Sequence, residues 1–238
     1  PVELKLSNGV FEFTKDTEFV IENKDQEEIF TALINKFKNV AGWTCKIVSE
    51  KPAKNYIQFV TDASLDNEAY KLDVNSDRIT ISARGNAGFI YGLESVRQLL
   101  PVEIEGSEIF QNSDWIIPNV VINDKPRFQW RGLMLDLSRH FFDKEYIKQV
   151  IDGLVMHKMN VLHLHLVDDQ GWRIEIKKYP KLTEVGAWRI DQEDKHWNSR
   201  DAVDSKEKGT YGGFLTQEDL KELVKYAQSK NVEIIPEI

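Results

Sequence analysis

The sequence predicts an α/β protein in two parts: a small N-terminal α/β (α+β) domain, followed by a parallel α/β architecture. In the first part, short strands with alternating apolar residues are interspersed with two amphipathic helices. In the second part, strongly apolar strands alternate with helices, a pattern typical of a parallel sheet covered on both faces. The pattern changes at Lys125-Pro126-Arg127, so we expect the domains to be residues 1–124 and 125–238.

The composition indicates a folded protein and argues against several kinds of partner. Of the 238 residues, 41% are hydrophobic, enough to build a core. The formal net charge of −8 argues against a nucleic-acid partner, which would favour a basic face. No apolar run approaches the roughly 18 residues that a membrane helix needs, so no membrane span is expected. The single cysteine, Cys45, lies in an apolar-alternating segment that predicts a buried thiol.

The first domain is predicted to contain five strands and two helices. The strands are expected at residues 10–14, 18–22, 56–60, 69–74 and 78–82. Apolar residues spaced three and four apart predict helices at residues 26–40 and 86–100, and Gly42 is a suitable stop for the first. Residues 102–124, which include Pro118, are expected to form a connector or edge strands packed between the domains.

The second domain is predicted to run as strand, helix, strand, loop, helix and strand. These elements are expected at residues 132–138, 143–157, 160–167, 217–230 and 232–238. Asp143 and Thr216 are suitable N-caps for the two helices. A long excursion, residues 170–215, precedes the second helix, and its charged middle, residues 189–208, predicts a solvated loop. Near its end lies a predicted Gly212-Gly213 hinge, and long loops after parallel strands are where α/β barrels build their sites.

Charged side chains follow two of the predicted strands at their C-terminal ends. Arg139 comes directly after the first strand, and Asp168 and Asp169 end the second. This edge of a parallel sheet faces the ligand, and a guanidinium suits a carboxylate or two adjacent hydroxyls. A structural ion pair, with Asp136 for example, is the alternative for Arg139. Adjacent strand residues point to opposite sides, so only one of the two carboxylates easily faces the ligand, and we favour Asp168. The alternative is that one of them caps or buttresses the following loop.

The second strand also carries His163 and His165 on one face. A His-x-His pair at a strand end binds metal in some amidohydrolases, but this pair lies mid-strand in a chain with only five histidines. Hydrogen-bonded imidazoles in the sheet interior are therefore favoured, and no metal or cofactor is expected.

Glu237, near the end of the third strand, is a further candidate, and its alternative role is a buried support paired with Arg139 or Arg173.

Four segments of the chain carry long and specific motifs. They are Ala87-Gly-Phe-Ile-Tyr-Gly-Leu-Glu-Ser-Val-Arg-Gln-Leu-Leu-Pro101, Arg131-Gly-Leu-Met-Leu-Asp-Leu-Ser-Arg-His-Phe-Phe142, Lys158-Met-Asn-Val-Leu-His-Leu-His-Leu-Val-Asp-Asp-Gln-Gly-Trp-Arg173 and Val232-Glu-Ile-Ile-Pro-Glu-Ile238. The last three closely resemble the family 20 glycoside hydrolases, the β-N-acetylhexosaminidases. The first is similar to the helix that closes that family's small N-terminal domain. The resemblance spans nearly the whole chain except the charged loop.

The resemblance implies a fold, an activity and a mechanism. The fold is a TIM (β/α)8 barrel after the N-terminal domain, with residues 131–238 supplying its first three β/α units and stopping after the third strand. The activity is removal of terminal β-linked N-acetylglucosamine or N-acetylgalactosamine from glycans. The mechanism is substrate-assisted and retaining, because the sugar's own 2-acetamido oxygen attacks the anomeric carbon.

The resemblance also implies roles for individual residues. Arg139 matches the arginine that grips the C3 and C4 hydroxyls of the terminal sugar. Asp168 matches an aspartate that supports the catalytic network through a histidine, and Glu237 matches a glutamate with no direct role. The family's catalytic Asp-Glu pair and its Asp-x-Pro-Gly-His motif follow the matched segments. We therefore expect no catalytic residue in this chain, which is predicted to be inactive alone.

The implied partner is the terminal N-acetylhexosamine of an oligosaccharide or glycoconjugate. The alternative is a non-catalytic carbohydrate-binding or scaffold module that keeps half a site. The chain begins with Pro1, so a removed export signal and a secreted or periplasmic location are expected. Three strands of a barrel leave the first and third as unpaired edges, which predicts self-association through them.

Overall fold

The computed structural model describes residues 1–204 and 206–238, without the side chain of Trp197. These residues form two compact units, Pro1–Gln129 and Trp130–Ile238. The segment Lys125-Pro126-Arg127 thus lies in the first unit. Over the described part of the chain, every helix is too short or too polar to cross a membrane.

The first unit is built on a seven-stranded mixed sheet. Its elements are β1 Glu3–Glu12, β2 Glu18–Val20, α1 Asp25–Ala41, β3 Lys46–Val48, β4 Tyr56–Thr61, β5 Tyr70–Val74, β6 Arg78–Ala83, α2 Asn86–Leu99, a 3-10 turn at Val102–Glu105, and β7 Ile116–Asp124. The strand order is β1-β7-β5-β6-β4-β2-β3. Strands β2, β3, β4 and β6 pair in parallel, and β1, β5 and β7 add antiparallel pairs. Helix α1 ends at Gly42, whose φ of 73° is left-handed, so the predicted helix stop is confirmed.

The segment predicted as a connector contributes an interior strand of this sheet. Strand β7 lies between β1 and β5, so the expectation of a connector or edge strands for residues 102–124 is wrong over residues 116–124. Pro118 pairs with Val10 of β1, whereas β5 pairs with β7 from Val120 onward. The β1–β7 register shifts next to this position, between Leu6 and Val10. The proline, which has no N–H to donate, is therefore accommodated at an irregular end of the strand.

A row of phenylalanines joins both helices to one face of this sheet. Phe30 of α1 stacks on Phe59 of β4 with ring centroids 3.9 Å apart, and Phe59 meets Phe89 of α2 at 4.6 Å. All three side chains are buried. Burying each one contributes about 1.5–3 kcal/mol, so this row is a large part of what holds α1 and α2 on the sheet.

The second unit contains a three-stranded parallel sheet. Its elements are β8 Gly132–Asp136, α3 Lys144–Met156, β9 Val161–His165, β10 Val167–Asp168, β11 Gly171–Trp172, α4 Lys181–Glu184, β12 Trp188–Arg189, a 3-10 turn at Trp197–Ser199, β13 Tyr211–Gly212, α5 Gln217–Ser229 and β14 Glu233–Glu237. Strand β9 lies between β8 and β14 and runs parallel to both. Within the described residues, β8 and β14 are the edges of this sheet, and self-association through them stays a prediction.

Polar side chains begin both long helices of the second unit. Asp143 accepts a hydrogen bond from the backbone N–H of Tyr146 at 2.9 Å, at the start of α3. At the start of α5, Thr216 Oγ1 accepts from the N–H of Asp219 at 3.1 Å, and Asp219 Oδ2 accepts from the N–H of Thr216 at 3.0 Å. Both predicted N-caps are confirmed, and each contributes about 1 kcal/mol to helix stability.

The excursion after the second strand is folded. Strand β10 pairs with β11, β12 pairs with β13, and Ile174 bridges to Leu215. Arg189 and Glu193 belong to the segment predicted as a solvated loop, yet their side chains are only 19% and 23% exposed. That prediction is therefore wrong at these two residues, because they pair with each other and with the turn after β8. Ser205, in the same segment, lies outside the described residues.

The double glycine predicted as a hinge is tightly packed. Gly212 and Gly213 have φ values of 151° and 155°, which favour glycine. A Cβ on Gly212 would lie 1.9 Å from the carbonyl oxygen of Ala187, and a Cβ on Gly213 would lie 2.4 Å from the ring of Phe141. These glycines serve the close approach of neighbouring backbone and an aromatic ring, and the hinge stays a prediction.

Gly88→Ala should destabilise the first unit by about 1–3 kcal/mol. The added Cβ would lie 2.4 Å from the carbonyl oxygen of Ala69 and 2.7 Å from the Cβ of Ala83. Gly153→Ala, in α3, is the matched control, because its added Cβ meets no described atom within 4 Å and alanine favours a helix by about 0.5–1 kcal/mol. Urea unfolding measures both changes, and a Gly88→Ala protein as stable as the unsubstituted one would contradict the close packing.

Candidate functional site

Three parallel strands bring polar side chains to one edge of the sheet in the second unit. Asp136 ends β8 in register with His165 of β9, and His165 is in register with Glu237 of β14. Residues in register on parallel strands point to the same face, so these three side chains form one row. Arg139 and Asp168 follow just beyond the ends of β8 and β9. The charged residues singled out from the sequence therefore meet at one edge.

The guanidinium of Arg139 is held between two carboxylates. Its Nη1 donates to Asp136 Oδ2 at 2.9 Å, and its backbone N–H donates to Oδ1 of the same residue at 3.0 Å. Its Nη2 forms an ion pair with Asp168. The Arg139 side chain remains 48% exposed. The ion pair with Asp136 is thus present, and it orients a cation that a solute can still reach.

Asp168 links this guanidinium to an imidazole. Its Oδ1 accepts a hydrogen bond from the N–H of Asp169 at 2.7 Å, and its Oδ2 lies 3.2 Å from Nε2 of His165. The Asp169 N–H, followed by His165 and Arg139, holds the pKa of the Asp168 carboxyl below its usual range. Asp168 therefore stays ionised at neutral pH and can hold both the guanidinium and the imidazole.

Glu237 contacts both histidines of β9. Its Oε2 lies 2.6 Å from Nδ1 of His165 and 2.8 Å from Nε2 of His163. The hydrogen bond with Glu237 is the main cause that raises the pKa of His165, and the same bond lowers the pKa of Glu237. Pairing of Glu237 with Arg139 or Arg173, the alternative from the sequence, is therefore wrong. Within the described ranges, no three or more His, Cys, Asp or Glu side chains are grouped so that they could hold a metal ion.

The side chain of Arg173 is fully buried and donates to backbone carbonyls. Its Nε donates to Leu137 and its Nη2 to Ser138, both at 2.9 Å, so it holds the two residues that follow β8. Its Nη1 donates to Ala187 at 2.6 Å and to Gly213 at 3.1 Å, in the excursion. Burial lowers the pKa of Arg173. A guanidinium nevertheless stays charged in proteins, so one buried cation ties the end of β8 to the excursion.

Two parts of this arrangement are assigned no role in the site from the sequence. Asp136 is predicted only as an ion-pair partner, although a carboxylate at the end of an apolar strand, three residues before Arg139, could have signalled it. Arg189 and Glu193 are predicted to lie in a solvated segment. No local pattern signals that Arg189 Nη2 donates to the carbonyl oxygen of Arg139 at 2.7 Å.

Two family models together match nearly the whole chain. The model described as glycosyl hydrolase family 20, domain 2, matches residues 1–125, and the model of the glycosyl hydrolase family 20 catalytic domain matches residues 128–238. The chain belongs to glycosyl hydrolase family 20. This family 20 protein has an α/β fold in which an N-terminal domain precedes a portion of the catalytic TIM barrel. The resemblance drawn from the motifs is therefore confirmed.

Curated relatives and solved structures agree with the family 20 assignment. A beta-hexosaminidase of Porphyromonas gingivalis is 37% identical over 243 residues, covering 100% of the chain and 29% of that relative. The N,N'-diacetylchitobiase of Vibrio harveyi is 39% identical over 172 residues, covering 71% of the chain and 18% of that relative. A mutant Streptomyces plicatus beta-hexosaminidase in complex with product (GlcNAc) matches with a TM-score of 0.87 and 31% identity, covering 100% of the chain and 44% of that protein. The chain thus spans less than half of each relative.

Glu237→Gln should lower the pKa of His165 in this family 20 protein, because the Glu237 carboxylate favours the imidazolium. The folded pKa of His165 lies above the ordinary value of about 6.5, so its charge stabilises the fold below that pH. That stabilisation is lost as the pH rises through the folded pKa. NMR titration of the imidazole measures the shift. Glu233→Gln, on the same strand, should leave His165 unchanged, and an equal His165 pKa in both variants would contradict the assigned contact.

Proposed function

We propose that this chain supplies the N-terminal domain and the first three β/α units of the catalytic barrel in a β-N-acetylhexosaminidase. The enzyme removes terminal β-linked N-acetylglucosamine or N-acetylgalactosamine from an oligosaccharide or glycoconjugate. Membership of family 20 supports the reaction class. The names beta-hexosaminidase and N,N'-diacetylchitobiase of the relatives, and the GlcNAc product held by the Streptomyces plicatus protein, support the sugar.

One observation carries the proposal: a restrained, exposed guanidinium at the C-terminal edge of a parallel sheet. Asp136 and Asp168 each hold one side of Arg139. A guanidinium has more N–H donors than these two contacts use. Its rigid fork suits two neighbouring acceptor oxygens, such as the vicinal hydroxyls of a sugar ring. In this proposal Arg139 binds the C3 and C4 hydroxyls of the terminal N-acetylhexosamine.

Asp168 and Glu237 support this grip without reacting. The contacts run from Glu237 to His165, from His165 to Asp168 and from Asp168 to Arg139. Each group in this hydrogen-bonded network restrains the orientation of the next. Attack by the 2-acetamido oxygen and proton transfer belong, in this proposal, to the sugar and to the family's Asp-Glu pair. The 238 residues contain no Asp-Glu dipeptide.

Arg139→Ala in the full-length protein should lower kcat/KM for a chromogenic N-acetylglucosaminide by roughly 30-fold or more. This corresponds to a loss of about 2–5 kcal/mol of transition-state stabilisation. The substitution removes the charged donors that hold the sugar hydroxyls. Arg78→Ala, which removes an exposed arginine of β6, is the control and should leave kcat/KM unchanged. Steady-state kinetics measure both, and an unaltered kcat/KM in folded Arg139→Ala would refute the assigned role.

The 238-residue segment prepared alone should not hydrolyse the same chromogenic substrate, because the proposed proton-transfer pair is not among its residues. The full-length protein, assayed in parallel, is the positive control. Turnover by the segment would contradict this assignment. Tight binding of N-acetylglucosamine to the segment in calorimetry, with no turnover by the full-length protein, would instead favour the non-catalytic carbohydrate-binding module.

A further inference from the structure

Glu193, in the charged part of the excursion, contacts the turn that carries Arg139. Its Oε2 lies 2.9 Å from Nδ1 of His140, the residue next to Arg139. Its Oε1 accepts hydrogen bonds from Arg189 Nη2 at 2.7 Å and from Arg200 Nη2 at 2.9 Å. The same Nη2 of Arg189 donates to the carbonyl oxygen of Arg139 at 2.7 Å. One carboxylate therefore reaches Arg139 by two routes, through Arg189 and through His140.

Tyr211 adds a second hold on the same turn. Its hydroxyl accepts a hydrogen bond from the backbone N–H of Phe141 at 3.0 Å and lies 3.0 Å from Nδ1 of His140. The guanidinium of Arg189 lies over its ring, 4.7 Å from the centroid. The turn is thus held at the carbonyl of Arg139, the side chain of His140 and the N–H of Phe141.

The charges in this cluster are partly withdrawn from water. The side chains of Arg189, Glu193 and Arg200 are 19%, 23% and 20% exposed. Burial favours the neutral acid, but the hydrogen bonds from Arg189 and His140 outweigh it, so the pKa of Glu193 is lowered and the carboxylate is ionised at neutral pH. Ion pairs at this degree of burial are less screened than exposed ones. Glu193 can therefore hold its partners in a fixed geometry.

We propose that Glu193 is a positioning residue for the sugar-binding guanidinium of Arg139. The backbone of Arg139 is held by Glu193 through Arg189, and its side chain is held by Asp136 and Asp168. Loss of the Glu193 carboxylate leaves the side-chain contacts in place but frees Arg189 and His140 from one partner, so the main chain at Arg139 is held less firmly. The excursion thereby determines how well the Arg139 guanidinium is aligned with the hydroxyls of the terminal sugar. This inference rests on the proposed role of Arg139.

The test compares two substrates in the full-length protein: a chromogenic N-acetylglucosaminide and its 4-deoxy analogue. The ratio of their kcat/KM values measures how much the enzyme gains from the C4 hydroxyl. Glu193→Ala should lower kcat/KM for the first substrate by about tenfold to a hundredfold, as a misplaced binding group does. It should change kcat/KM for the 4-deoxy analogue much less, so the ratio falls. A general loss of folded enzyme lowers the apparent kcat/KM for both substrates by the same factor and leaves the ratio unchanged.

Matched variants complete the design. Asp201→Asn breaks the exposed ion pair between Lys195 and Asp201 in the same loop, and it should keep the ratio of the unsubstituted enzyme. Glu193→Gln keeps the side-chain shape without the charge, so it covers the case in which the alanine variant does not fold. We expect Glu193→Gln to lower the ratio of the two kcat/KM values as well, but by a smaller factor than Glu193→Ala.

The two hypotheses fail in different ways. If Arg139→Ala keeps the full preference for the C4 hydroxyl, the proposed role of Arg139 is wrong. If Arg139→Ala removes that preference while Glu193→Ala and Glu193→Gln keep it, the positioning role of Glu193 is wrong and the proposed function stands. A fall in the ratio for the Glu193 variants, with Asp201→Asn unaltered, supports the inference.

Discussion

The buried guanidinium of Arg173 is the interaction on which the edge of the second sheet depends. Taking such a charge out of water costs several kcal/mol, and its hydrogen bonds offset that cost only while their acceptors stay in place. The acceptors are backbone carbonyls after β8 and in the excursion, so these segments depend on each other. The space beside Arg173 requires a glycine, because a Cβ on Gly171 would lie 2.3 Å from the guanidinium.

This fixed main chain lets exposed side chains act as an ordered set. Ion pairs as exposed as that of Arg139 contribute little to stability, so their value here is orientation. Along the edge, basic and acidic groups alternate in the order Glu237, His165, Asp168, Arg139 and Asp136. Each hydrogen bond or ion pair in this row restrains the orientation of both of its partners. The result is an oriented guanidinium at the C-terminal edge of parallel strands, where α/β barrels build their sites.

Local pattern accounts for most of the elements. Apolar spacing predicts α1 and α2, and the cap residues Asp143 and Thr216 act within a single helical turn. The failure at β7 has a physical reason: Pro118 argues against an interior strand, and the irregular β1–β7 register that accommodates it depends on residues more than a hundred positions away. The close packing of the double glycine has no local signal either, since its neighbours Ala187 and Phe141 are distant in sequence.

The amino-acid sequence by itself determined the four long helices and most strands, the charged residues at the strand ends and, through its motifs, the family. These features depend on residue periodicity and on the order of residues that are close together in the sequence. Only the tertiary structure decided which distant groups meet: Glu237 with both histidines, and Glu193 with the turn after β8. Such contacts follow from strand register and from packing of the excursion, and no local pattern specifies them.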